Sequence, residues 1–179
     1  PNFRGGARVA AADLNSDGFD DLVVAAGAGG GPRVAVYDGR SVPGGAPARL
    51  VSDFFAFAPD LQSGVYLAAG DVDGDRFADL IAGAGPGGGP RVRVLSGKDL
   101  VEGRGEKVLS DFMAGDPADR GGVRVAAKNL MDDNRADLIT AVGGRVSSFA
   151  GKSLNPGGTP KGTGEFDPFP DQTGSVFVG

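Results

Sequence analysis

Two short stretches of this chain place oxygen-bearing side chains at every second position. Asp13, Asn15, Asp17 and Asp21 occupy positions 1, 3, 5 and 9 of the first, and Asp71, Asp73, Asp75 and Asp79 occupy the same positions of the second. Alternate residues of a tightly wrapped loop point toward one centre. With the backbone carbonyls of Phe19 and Phe77 at position 7, each stretch offers an all-oxygen ligand set, which suits calcium rather than zinc or copper. Position 6 needs a positive φ for the sharp turn: Gly18 supplies it freely, Arg76 less so. An EF-hand would need a bidentate Glu at position 12. Position 12 of the first stretch is Val24, inside the strand-like run Asp21-Leu-Val-Val-Ala-Ala. These are loops between strands.

The loops belong to a larger repeat. Asp13, Asp71 and Asn129 are spaced by 58 and 58 residues, and three such periods cover 174 of 179 residues. A fixed period of this size signals a repeat architecture. The third loop is depleted: Asn129 replaces the first carboxylate and Met131 offers no oxygen at position 3, leaving Asn129, Asp133, the Arg135 carbonyl and Asp137. Asp132 has the wrong parity to point inward. Asp and Asn also favour tight turns with no metal present. Yet two loops with matching ligands at one repeat position carry eight carboxylates (Asp13, Asp17, Asp20, Asp21; Asp71, Asp73, Asp75, Asp79). Those charges repel unless a cation sits among them. The expected cofactor is Ca²⁺ in the first two loops, with the third in doubt.

Four short strands frame each loop. First strands are expected over 7–14, 65–72 and 123–130, each preceded by a glycine, with second strands over 22–26, 80–84 and 138–142. Glycine-rich turns follow, then alternating third strands at 33–37, 91–95 and 145–149 and fourth strands at 50–57, 108–113 and 164–169. Four strands punctuated by Gly, Pro and Asp form one antiparallel sheet. Such sheets packed around an axis make a β-propeller, with the small residues of the first strand at its crowded centre. The fold expected is all-β: about three four-stranded antiparallel blades (6–57, 64–115 and 122–169) plus one extra strand at 174–179.

The run Gly-x-x-Val-Ala-Ala-x-Asp-x-Asn-x-Asp-Gly-x-x-Asp-Leu-Val-Val, the Gly-Pro turn and Arg-Val-x-Val-Tyr resemble the FG-GAP repeat of integrin α-type, VCBS-like propellers. The resemblance departs at the segment that names the family, where Gly5-Gly6 and Ser63-Gly64 stand in place of Phe-Gly. It implies a calcium loop joining the first and second strands on one face of the disc. It also implies protein or carbohydrate ligands, where present, on the opposite face.

Propellers close with about 4–8 blades. Gly174-Ser-Val-Phe-Val-Gly179 matches the opening of a repeat, so the chain is expected to be part of a longer propeller; several copies pairing into a ring is the other reading. With neither His nor Cys, the usual zinc and haem ligand sets, cysteine nucleophiles and histidine-dependent triads are excluded. No apolar run reaches the ~18 residues of a membrane span. A net charge of −5 without a basic stripe argues against nucleic acid.

The Gly-Gly-Gly-Pro-Arg segments at 29–33 and 87–91 lack the Lys-Ser/Thr ending of a phosphate loop and precede a strand, so they read as turns. Arg33, Arg91 and Arg145 recur at the head of the third strand, as edge salt bridges or as a guanidinium ring for acidic ligands. Asp53 and Asp111 recur as edge residues. Phe54, Phe55, Phe57 and Phe112 read as core. The function expected is a non-catalytic calcium-binding propeller module for extracellular adhesion, recognition or scaffolding. A polysaccharide-acting hydrolase or lyase and an inert spacer in a large surface protein are the alternatives.

Overall fold

The computed structural model describes residues 4–171 and 176–179. Twelve strands form three four-stranded antiparallel sheets, each a simple meander. The first sheet contains β1 (Ala7–Ala12), β2 (Asp21–Ala26), β3 (Arg33–Tyr37) and β4 (Arg49–Phe55). The second contains β5 (Val65–Gly70), β6 (Asp79–Ala84), β7 (Arg91–Leu95) and β8 (Val108–Met113). The third contains β9 (Arg124–Lys128), β10 (Asp137–Val142), β11 (Arg145–Phe149) and β12 (Gly162–Phe166). The sheets stack as propeller-like blades that do not close into a ring, with β5 packed between β1 and β9. Gly174 and Ser175 of the expected extra strand lie outside the described residues.

The third strands match the sequence pattern residue for residue. The first strands end two residues earlier than expected, because Asp13, Asp71 and Asn129 already turn into the loops. In the third blade the outer strand covers 162–166 rather than 164–169; Pro168 has no amide to donate to the ladder. A short helix, α1 (Gly97–Val101), joins β7 to β8 and is capped by the Ser96 side chain, which accepts from the Asp99 amide. Nothing in the apolar pattern of so short a segment announces it.

Burial follows from blade position. In the first blade, one face of β2 is covered, and its residues alternate buried and half-buried. In the middle blade every residue of β6 is buried, because neighbours cover both faces. Leu80, Ala82 and Ala84 point into the layer shared with the first blade, alongside Leu14, Val23, Val36 and Phe57. Ile81 points into the layer shared with the third, alongside Val94, Phe112, Val125 and Leu138. There Phe112 and Phe149 meet edge to face at 5.2 Å, the arrangement the ring quadrupoles favour. Phe57 and Phe112 are core, as expected. Phe55 is not: strand alternation turns it away from Phe54, and it is 45% exposed.

The arginines heading the third strands are edge salt bridges. Arg91 grips Asp111 with two parallel bonds, Nε to Oδ1 and Nη2 to Oδ2, both 2.7 Å. Arg33 pairs with one oxygen of Asp53 and Arg145 with one oxygen of Glu165, each also across the sheet.

The glycine opening each repeat explains how blades nest. Gly6, Gly64 and Gly122 all adopt positive φ (71°, 69° and 73°). A Cβ on Gly64 would lie 2.4 Å from the Gly27 carbonyl of the first blade, and one on Gly122 2.5 Å from the Ala84 carbonyl of the second. A Cβ on Gly6 meets nothing within 4 Å. The pair Gly6→Ala and Gly64→Ala therefore separates conformational strain from blade contact. In urea unfolding, Gly6→Ala is expected to cost only the left-handed strain, roughly 1–2 kcal/mol. Gly64→Ala is expected to cost about 1–3 kcal/mol more through backbone overlap. Equal losses would show that the blades can slide apart at this seam.

Candidate metal centres

Each acidic loop begins where a first strand ends and is wound by its own carboxylates. In the first, Asp13 accepts from the amides of Asp17 (3.0 Å) and Gly18 (2.8 Å), and Asn15 Oδ1 from the Asp17 amide at 3.0 Å. Asp17 in turn accepts from the Phe19 amide. The second loop repeats the pattern. Asp71 takes the amides of Gly74, Asp75 and Arg76, Asp73 takes that of Asp75, and Asp75 takes that of Phe77. Position 6 has positive φ in all three copies: Gly18 at 87°, Arg76 at 72° and Asn134 at 60°. Position 4 does too, at Ser16, Gly74 and Asp132, which the parity argument alone did not reveal.

Position 9 differs in kind from the rest. Asp21, Asp79 and Asp137 are fully buried. One oxygen of each accepts from the amide of the loop's second residue: Leu14 at 3.0 Å, Val72 at 2.9 Å and Leu130 at 2.7 Å. The other accepts from a glycine amide just after the third strand: Gly39 at 3.0 Å, Gly97 at 3.1 Å and Gly151 at 3.1 Å. Those glycines are forced by space, since a Cβ would sit 1.9, 1.8 or 2.3 Å from the position-8 carbonyl of Asp20, Ala78 or Ala136. The residue after each glycine is a cation that reaches the position-5 carboxylate. Arg40 lies 3.2 Å from Asp17, Lys98 3.8 Å from Asp75 and Lys152 3.6 Å from Asp133. Arg40 and Lys98 also lie over the rings of Phe19 and Phe77, each at 5.0 Å. Reading the sequence by ligand spacing missed this Gly-cation pair, although the Asp38-Gly-Arg, Ser96-Gly-Lys and Ala150-Gly-Lys steps recur in each repeat.

The loops are also chained to one another. The Ala78 amide donates to the Asp13 carbonyl at 2.9 Å, and the Ala136 amide to the Asp71 carbonyl at 2.6 Å. Each loop therefore leans on the next blade.

Among the described residues, the carboxylates that converge are Asp71, Asp73 and Asp79, with one oxygen of each within 4.8 Å of the others. This cluster could hold a metal ion, and its hard oxygen donors fit calcium. Asp75 stands outside it, beside Lys98. In the first loop the side-chain amide of Asn15 holds Asp17 at 2.9 Å, and Asp20 is exposed. In the third, Asn129 accepts only from Asp132 (2.7 Å), since an amide nitrogen cannot accept as a second carboxylate oxygen does. Met131 donates its backbone amide to Asp137, while its side chain is 41% exposed. Asp133 keeps one buried oxygen with no hydrogen-bond partner.

Burial pushes the Asp79 carboxyl up to about 7; the amides of Val72 and Gly97 oppose this, and Asp73 and Asp75 add to it. Asp73 and Asp21 are also raised, chiefly by burial.

The fold and these turns together define a class: an array of propeller-like blades with an acidic loop between the first and second strands. Residues 5–42 match the family model for the FG-GAP repeat. Over 104 residues the chain is 36% identical to human integrin alpha-7, a match covering 53% of this chain and 8% of that protein. The V. cholerae biofilm matrix protein Bap1 aligns with 94% of this chain and 30% of its own, at 16% identity and a TM-score of 0.41. The chain thus contains an FG-GAP repeat at residues 5–42 and is similar over about half of its length to an integrin α chain. It spans less than a third of either protein.

The raised Asp79 has a pH signature. Its folded-state pKa lies above its unfolded value of 3.8, so without metal the folded chain holds the proton more tightly. The stability this provides is present below about pH 4 and lost as pH rises to about 7. Asp99, lowered to about 2 by Arg104, acts in a separate window, between 2 and 4. Thermal melts in chelator are expected to fall between pH 5 and pH 8, and Asp79→Asn, less stable throughout, to lose that slope. A wild-type profile that is flat across this range would remove Asp79 as its source.

Proposed function

We propose that this chain is a non-catalytic, calcium-stabilised propeller module of a protein that works outside the cell in adhesion, recognition or scaffolding. The observation that carries the reading is the convergence of Asp71, Asp73 and Asp79 at a turn chained by backbone bonds to both neighbouring blades. A cation there would neutralise carboxylates that otherwise repel, and would tie three blades together through one set of loops. Asp71, Asp73, Asp75, Asp79 and the Phe77 carbonyl would hold it in the second loop. Asp13, Asn15, Asp17, Asp21 and the Phe19 carbonyl would do so in the first. In the third, Asn129, Asp133, the Arg135 carbonyl and Asp137 form a poorer set.

The extracellular setting follows from the affinity expected and from family. A lysine or arginine already contacting one ligand carboxylate lowers the net ligand charge and would move calcium affinity toward the range of about 10⁻⁴ to 10⁻³ M typical of extracellular modules. The similarity to an integrin α chain points the same way. No helix among the described residues is long and apolar enough to cross a membrane. Protein or carbohydrate ligands would bind away from the acidic loops, with further blades, of a parent chain or of other copies, beside the outer sheets.

Calorimetric titration with calcium is expected to show two sites. Saturation at about 100 times Kd would add roughly 2.7 kcal/mol per site, a rise in Tm of about 10–20 °C in total for a chain of this size. The double substitution Asn129→Asp with Met131→Asp is expected to create a third site. A titration with no heat and no change in Tm would overturn the calcium reading and leave the loops as turns closed by hydrogen bonds alone.

A further inference from the structure

One repeat position breaks the pattern of paired charges. Arg8, Tyr66 and Arg124 are 58 residues apart and stand near the start of β1, β5 and β9. They form a stack that crosses all three blades. The Arg8 guanidinium carbon lies 4.4 Å from the Tyr66 ring centre, and that of Arg124 lies 5.1 Å from the same ring centre. Phe177 caps Arg124 at 4.2 Å. Aromatic rings offset part of the cost of burying a cation, but they offer no acceptor to its N–H groups.

Arg124 is 7% exposed, and its Nε has no hydrogen-bond partner among the described residues. Neither Arg8 nor Arg124 pairs with a described carboxylate, whereas Arg33, Arg91, Arg93 and Arg145 all do. A buried, uncompensated guanidinium is costly to keep. The acidic loops cannot compensate it: from Arg8 to Asp13 is five residues of strand and turn, about 17 Å.

We propose that Arg124, with Arg8 in support, is a receptor for a ligand carboxylate at the end of the inner strands remote from the acidic loops. The chemical class follows from the vacant edge. Nε and a neighbouring Nη make the fork that fits a planar carboxylate with two parallel bonds. Arg91 uses that edge on Asp111 in this same chain. In Arg124 the Nε of that edge is orphaned, so the missing acceptor has the shape of an aspartate or uronate carboxyl group. Arg8, stacked on the same Tyr66 ring, adds attraction at longer range in a chain whose net charge is −5.

The test is NMR of the arginine Nε–H groups in the 179-residue chain, in calcium and at constant ionic strength. Galacturonate and N-acetyl-aspartate amide would be titrated separately, with galactose as the neutral control. The Arg124 Nε–H signal is expected to shift saturably with one or both carboxylates and not with galactose; the stronger arm identifies an acidic sugar or an acidic side chain as the source. Arg124→Gln is expected to weaken binding roughly ten- to hundredfold. Arg124→Lys, which keeps the charge and loses the fork, should do nearly the same, and Arg8→Gln should do less. An Nε–H already hydrogen-bonded to an acceptor of the chain before any ligand is added would overturn the proposal. So would the absence of a saturable shift, or unchanged binding by folded Arg124→Gln or Arg124→Lys.

Discussion

Everything about the acidic loops rests on one buried carboxylate per blade. Asp21, Asp79 and Asp137 each bind two backbone amides from segments far apart in the chain, one in the loop and one in the turn beyond the third strand. A carboxylate is the side chain for the task because it is acceptor-only and both oxygens can serve donors. Burial makes those bonds hard to give up, since an amide losing its acceptor there gains no water in exchange. The same burial penalises the charge, which is why Asp79 holds its proton so far up the pH scale. The residue joining the parts of each blade is thus also the one a nearby cation would relieve.

Around that bond the blade handles its excess negative charge internally. Arg40, Lys98 and Lys152 each place a cation on the position-5 carboxylate, so the loop's fold does not depend on a metal. These contacts are partly exposed and individually worth little. Their effect lies in competition: a metal recruiting Asp17 or Asp75 must displace a resident cation, and its affinity falls accordingly. Rigid blade stacking supplies the rest. Backbone bonds between successive loops at one end, and glycines pressed on the previous blade's carbonyls at the other, leave little freedom for one blade to turn against the next.

Much of this was legible in the residues, and the limits have physical reasons. The strand pattern, the 58-residue period and the salt-bridged arginines are local or periodic signals, and the sheets reproduce them. Strand alternation was misapplied at Phe55, where a run of three phenylalanines in four positions hid which face each one takes. The middle blade's β6 was expected as a strand, but its burial on both faces could not be told from the apolar run alone, because that depends on having two neighbours. At the loops, ligand spacing identified the oxygens but not their division of labour. That Asp21, Asp79 and Asp137 first serve the backbone depends on Gly39, Gly97 and Gly151, which lie 14–18 residues further on. No pattern within nine residues contains that partner.

The third repeat separates what a blade requires from what a metal requires. It has no side-chain oxygen at position 3 and an amide in place of the carboxylate at position 1, yet its sheet is four-stranded and Asp137 still bonds the loop and the glycine beyond the third strand. Asn129 still winds the loop through the Asp132 amide, and Lys152 still neutralises Asp133. The groups the third loop shares with the other two serve the backbone; the positions at which it differs, 1 and 3, are those that would face an ion. The absence of an oxygen at position 3 removes a ligand without disturbing packing, because the Met131 side chain is 41% exposed and lies outside the inter-blade layer. A blade can therefore stand without a full ligand set, and the second loop, tied to the third through the Asp71 carbonyl and the Ala136 amide, keeps the third turn in register.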